Sequence, residues 1–207
     1  MRPPRARLLY VLAHGAGAGM RHPFLEAVAR ALSERDVATF RYQFPYMEAG
    51  SRRPDPPAVA VATVRAAVAA AAVAVPGVPL LAGGKSFGGR MTSTAQATGP
   101  LPGIVGLVFL GFPLHPPKQP SDTRAAHLRD VQIPMLFLQG TRDDLADLTL
   151  MRPLCGKLGK RATLHIVEGG DHSFRVLKRS GRTDVEVLAE LAERISDWSD
   201  AQLARVG

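Results

Sequence analysis

Six short, nearly unbroken apolar runs punctuate the chain: LLYVLAHG (8–15), VATFRYQF (37–44), VPLLAG (78–83), IVGLVFLGF (104–112), PMLFLQG (134–140) and ATLHIVEG (162–169). Runs of this length with little polar alternation are expected of strands buried on both faces of a parallel sheet. Between them lie longer stretches of helical character at 23–34, 57–75, 87–98, 122–130, 144–158 and about 184–203. In the last of these, Val185, Leu188, Leu191, Ile195 and Trp198 recur at three- and four-residue steps, which gives one apolar face. The alanine-rich 57–75 stretch has high helix propensity and the small side chains that close packing on a sheet needs. Strand–helix alternation of this kind predicts one α/β domain over 1–207: a mostly parallel sheet of six or seven strands, helices on both faces, and right-handed crossovers.

Two proline-rich connections, PYMEAGSRRPDPP (45–57) and PLHPPKQP (113–120), follow strands. Ligands in open α/β sheets bind outside the carboxyl ends of the strands, so these loops are expected on the functional face. About twenty residues separate the strands at 104–112 and 134–140, too few for an inserted helical cap.

Composition narrows the picture only modestly. The 207 residues are 46% hydrophobic and 21% charged, the balance of an ordinary globular chain. No unbroken apolar run reaches the roughly 20 residues that cross a bilayer, and no membrane partner is expected. The N-terminus, MRPPRARLLYVLAHG, opens like a secretion signal, but its apolar part is short and runs into His14-Gly15, so it is taken as the first core strand. The single cysteine, Cys155, excludes an internal disulfide and is expected to be a packed helical residue; a cytoplasmic location is the simplest expectation. The net charge of +8 comes mostly from arginines dispersed along the chain, so nucleic acid is not an expected partner. No H-x-x-x-H or C-x-x-C spacing occurs, so neither metal nor cofactor is expected.

The segment LLAGGKSFGGR (80–90) changes the picture most. Gly84-Lys85-Ser86 imitates the end of a phosphate-binding G-x-x-x-x-G-K-[ST] loop, but its first glycine falls on Pro79, which has no backbone N–H to offer a phosphate. The other reading of G-K-S-F-G is G-x-S-x-G, a nucleophile on a sharp strand-to-helix turn. The context fits: an apolar strand precedes it and the helix-compatible FGGRMTSTAQAT follows. Small residues two positions either side, Gly84 and Gly88, leave room for the turn, and the N–H of Phe87 can face a developing oxyanion at a helix start. A serine hydroxyl needs a base and an orienting acid. His172 follows the last expected strand in VEGGDHSF, and Asp143 lies three residues beyond Gly140 in PMLFLQGTRDD. The order Ser86, Asp143, His172 is one in which strand-end loops bring a triad together. Asp144 is the rival acid, while Asp171 adjoins His172 too closely in sequence to hold the far side of its ring. The loop after the first strand, HGAGAGM (14–20), offers a second oxyanion donor at Ala16.

These segments resemble a known family. LAHGAGAGM, QFPYMEAG, GGKSFGGR, LGFPLHPP, LQGTRD and GGDHSF are similar to small bacterial α/β-hydrolases related to dienelactone hydrolase. They are closer still to the group that shares its hydrolase-like domain with a testis-expressed protein and a chromatin acetyltransferase-complex subunit. The resemblance covers almost the whole chain. It implies an α/β-hydrolase fold, with Ser86, Asp143 and His172 as the triad and main-chain donors near Ala16 and Phe87; the short connection between the strands at 104–112 and 134–140 adds the expectation of no cap domain. Dienelactone hydrolase has a cysteine nucleophile where this chain has serine, so its substrate does not carry over.

The remaining expectations concern the surroundings. Phe44, Tyr46, Phe87, Phe112, Leu114 and His115 are expected to line a shallow pocket suited to small or short-acyl esters or thioesters. His14 is expected beneath the oxyanion loop, and His22, His127 and His165 at the periphery. Lys85 is expected to point away from the site and buttress the turn. The cations of FRVLKRSGR (174–182) would form a positive rim for anionic substrates. The competing class is a non-catalytic interaction domain, which would have no need of all three triad residues.

Overall fold

The computed structural model describes residues 1–204. Six strands, β1 (Leu8–Ala13), β2 (Val37–Tyr42), β3 (Leu80–Lys85), β4 (Ile104–Leu110), β5 (Met135–Arg142) and β6 (Ala162–Asp171), form one sheet in the order β2-β1-β3-β4-β5-β6. Every neighbouring pair is parallel, as the double-sided burial of their side chains requires. The strand ends differ from those expected by no more than two residues.

Helices α1 (Pro23–Ser33) and α6 (Asp184–Leu203) cover one face of the sheet. Leu25, Val28 and Leu32 join Val187, Leu191 and Ile195 there over Leu8, Tyr10 and Leu12. Helices α3 (Pro57–Ala74), α4 (Phe87–Ala97) and α5 (Leu148–Leu158) cover the other, where Val64, Val68, Met91 and Met151 pack with Leu9, Val11 and Phe109. A single helical turn, α2 (Pro45–Glu48), starts the first proline-rich connection. Helix α3 is apolar enough by length and composition to span a bilayer, yet it lays Ala60, Val64, Ala67, Val68 and Ala71 into this core.

Three local expectations change. The stripe of α6 begins at Val187, not Val185, which is 74% exposed. Thr183 and Glu186 form a reciprocal capping box that satisfies the first N–H groups of the helix. Residues 123–130 form a 3₁₀ helix where an α-helix was expected. Its buried residues, Ala125, Leu128 and then Val131, recur every third position, the repeat that a 3₁₀ turn stacks on one side. Finally, α5 starts at Leu148, where the Asp147 carboxylate accepts the Thr149 N–H at 2.8 Å, so 144–147 stays in the loop that carries the acid.

The strand order sets the position of the site. The chain leaves β1 for the edge strand β2, then crosses back to β3 on the other side of β1 and builds outward from there. Connections diverge at the carboxyl ends of β1 and β3, which opens a crevice between them. Gly15 and Ala16 follow β1, and Ser86 follows β3.

Candidate active site

Ser86 occupies φ +50°, ψ −115°, a backbone state that L-residues avoid and that costs on the order of 1–3 kcal/mol. Its neighbours leave it little choice. A Cβ on Gly84 would sit 2.3 Å from the carbonyl oxygen of Ala13, and one on Gly88 would sit 2.5 Å from that of His14. Only glycine at both positions lets α4 start this close to β1. The turn is held by the Ser86 N–H, which donates to Leu110 O at 3.2 Å, and the Ser86 hydroxyl is left at the mouth of the crevice.

Three side chains from separate strand ends meet there. His172 Nε2 lies 2.9 Å from Ser86 Oγ, and His172 Nδ1 lies 2.8 Å from Asp143 Oδ2. A buried carboxylate can only accept, so Nδ1 carries the proton and Nε2 is left to accept from the serine hydroxyl. The Asp143 side chain is fully buried. Its Oδ1 accepts the Leu145 N–H at 2.9 Å, and Gln139 Nε2 donates to Oδ2, so every direction of the carboxyl is fixed. Gln139 was missed in the sequence, although a lone amide in the apolar run LFLQG was a visible signal. Asp144 lines a hollow with His115 and Lys118, and the carboxylate that bonds His172 is that of Asp143. Asp171 organises the histidine loop instead: its Oδ1 accepts the N–H groups of Ser173 and Arg175 at 2.8 and 2.9 Å.

The loop after β1 is built from below. His14 Nδ1 donates to Gly15 O at 2.8 Å, while Nε2 accepts the Phe44 N–H at 3.1 Å. Burial lowers the pKa of this ring, in keeping with a neutral imidazole that both donates and accepts. The Gly17 N–H donates to the Tyr46 hydroxyl at 3.0 Å. Among the described residues, the N–H groups of Ala16 and Phe87 have no acceptor, and both flank Ser86.

A cavity of about 330 Å³ opens beside Ser86, lined by Ala16, His22, Phe24, Leu25, Leu145 and His172 among others. None of the expected lining residues Phe44, Tyr46, Phe87, Phe112, Leu114 and His115 belongs to it. Phe44 and Tyr46 stack on each other and meet Phe87 edge-on, next to the β1 loop that Tyr46 supports. Phe112 packs on Phe109 and Phe137, and Leu114 is fully buried in the same core. His115 ties two loops: Nδ1 donates to Pro116 O and Nε2 accepts the Asp147 N–H at 3.0 Å. The aromatic side chains at the strand ends turn into the core because the open crevice lies on the α1 side. For the same reason His22, expected at the periphery, lines the cavity while it caps α1 through the Phe24 N–H. His127 is held by Ser93 at 2.7 Å, and burial pushes its pKa down to about 4. His165 pairs with Glu190 at 2.6 Å; neither ring lines the cavity.

Lys85 departs most from expectation. It lines the cavity beside Ser86, and its Nζ is buried with no hydrogen-bond partner among the described residues. Burial brings its pKa down from the usual 10.5 to about 8, with Asp143 and Asp171 opposing that shift. Cys155 is packed in α5 as expected, with burial pushing its thiol up to about 11.

A family model described as an alpha/beta hydrolase domain matches residues 6–200. Among solved structures, a dienelactone hydrolase from Anabaena variabilis is similar at 20% identity and a TM-score of 0.76, over 95% of this chain and 87% of that one. An α/β serine hydrolase without lid from Xanthomonas campestris matches at 20% identity and a TM-score of 0.73, over 95% and 84%. Est1E from Butyrivibrio proteoclasticus matches at 17% identity and a TM-score of 0.68, over 97% and 90%. The lid-less form fits the present chain, in which residues 111–134, between β4 and β5, contain only the 3₁₀ segment.

Proposed function

The chain belongs to the alpha/beta hydrolase domain family, and we propose that it is a serine hydrolase of ester or thioester bonds in small or short-acyl substrates. The observation that carries this reading is the unbroken line from Ser86 Oγ through the His172 ring to Asp143, with contacts of 2.9 and 2.8 Å. Nε2 of His172 takes the Ser86 proton as Oγ attacks the carbonyl carbon. Asp143 holds the ring in the required tautomer and stabilises its cation. The N–H groups of Ala16 and Phe87 receive the developing oxyanion. The leaving alcohol or thiol departs with the proton from His172, and water repeats the sequence on the acyl-enzyme.

Small substrates are supported by the cavity, which at about 330 Å³ is at the low end for ligand sites. Short-chain p-nitrophenyl esters are expected to turn over at least tenfold faster than esters of eight or more acyl carbons, and Ser86→Ala is expected to abolish both rates. Equal turnover of short and long esters would contradict the size assignment. The basic segment at 174–182 supports a preference for anionic substrates less strongly than its sequence does. Arg182 is bound to Glu190, whereas Arg175 faces a groove that shares His22, Phe24 and Ser173 with the cavity. The rate on a carboxylate-bearing ester is expected to fall with salt while the rate on a neutral ester stays level; identical dependence would remove the rim from the mechanism.

A further inference from the structure

Lys85 is the residue the mechanism leaves without a task. Its side chain leaves β3 on the α1/α6 side, the side that Leu81 also faces. It ends 5.8 Å from the centre of the Phe174 ring. One point locates it against the triad: the position a Cβ on Gly111 would take lies 3.0 Å from Lys85 Nζ, 3.4 Å from Asp143 Oδ2 and 3.4 Å from His172 Nδ1. The ammonium therefore lies at most about 6.4 Å from the carboxylate oxygen and from the ring nitrogen, near enough for one charge to act on the ionisation of another. It also has no acceptor of its own. A lysine that served only to pack would more cheaply be methionine, and one that served a salt bridge would touch a carboxylate.

On the hydrolase reading given above, we propose that Lys85 is a positioning residue whose ammonium sets the proton affinity of the His172 ring. The titratable groups around it are Asp143 on the loop after β5, Asp171 at the end of β6, and His172 itself. His22, from the loop before α1, lines the same cavity. Asp143 draws a second proton onto the His172 ring, and the Lys85 charge opposes it from the same side. The lowered proton affinity of Lys85 itself comes from burial, against the opposing pull of Asp143 and Asp171.

The test is a pH titration of Lys85→Met and Lys85→Gln, two neutral replacements of different polarity, beside the unaltered chain. Two readouts are needed: kcat/KM on p-nitrophenyl acetate, and the NMR titration of the His172 ring, assigned by its loss in His172→Asn. In both variants the acid limb of the rate profile and the midpoint of the ring titration are expected to move up by about one pH unit, a tenfold gain in proton affinity. An acid limb and a midpoint that stay where they are in the unaltered chain would overturn the proposal, whatever happens to the plateau rate. In the unaltered chain the His172 resonances are expected to show a second inflection as Lys85 loses its proton near pH 8. A His172 titration with no second inflection anywhere in the alkaline range in which Lys85 loses its proton overturns the proposal even if neither variant folds. The NMR midpoints do not require turnover, so a chain that hydrolyses nothing would refute the hydrolase reading and leave this inference to be judged by itself.

Discussion

Lys85 also makes a prediction about stability. Its pKa is about 8 in the fold against the usual 10.5, so between these values the unfolded chain holds a proton that the folded chain has released. Stability therefore rises as pH climbs through that window, and below it the burial penalty is felt in full, roughly 3 kcal/mol. Lys85→Met is expected to be more stable than the unaltered chain by a few kcal/mol at pH 7 in urea unfolding, and about equally stable above pH 10.5. No gain at pH 7 would mean that the ammonium is better solvated than its surroundings suggest. Gly88 is the opposite case. A Cβ there would lie 2.5 Å from His14 O and 2.6 Å from Ala13 Cβ, against backbone and a short side chain that cannot swing aside. Gly88→Ala is expected to destabilise the fold by about 3 kcal/mol and to remove activity, because α4 and the β1 loop must separate. A fully active variant would show that the turn has slack.

Among the elements, the loop after β1 is the part whose function rests most on distant support. Its Gly17 N–H is held by the Tyr46 hydroxyl from α2. Tyr46→Phe removes a bond worth about 1 kcal/mol and is expected to lower kcat about fivefold, with KM nearly unchanged, because the displaced loop carries Ala16. A change in KM alone would place Tyr46 in substrate binding instead. This division of labour was hidden in the sequence. Six apolar runs were sufficient to locate every strand, and their ends were sufficient to bring Ser86, Asp143 and His172 to one edge. What a sequence run does not specify is which way a side chain at a strand end turns. Phe44, Tyr46, Phe112 and Leu114 looked like pocket walls because they are apolar and near the loops, but they fill the core below. His22 and Phe24, which do line the cavity, sit at the start of α1, whose packing on α6 and β2 is a tertiary matter that the local run does not specify. The stripe of α6 was read correctly at Leu188, Leu191, Ile195 and Trp198 and misread only at its first member, where Val187 is buried and Val185 is not.

At the scale of the molecule, a six-stranded parallel sheet with no inserted cap leaves the crevice between β1 and β3 open to solvent on the α1 side. Specificity must then come from the short wall formed by His22, Phe24, Leu25 and Leu145. The strained Ser86 backbone, the wholly buried Asp143 and the unpartnered Lys85 all oppose stability, and all three lie within this one crevice. Such concentrated cost is expected where geometry is maintained for chemistry and not for folding. A scaffold that only bound partners would gain from relaxing each of them. The most direct measurement is labelling with a fluorophosphonate followed by mass mapping of the adduct. A single adduct on Ser86 is expected, absent in Ser86→Ala and formed at least a hundredfold more slowly in His172→Ala. No adduct on the unaltered chain, or one that forms equally fast without the His172 imidazole, would contradict a triad at work in this crevice.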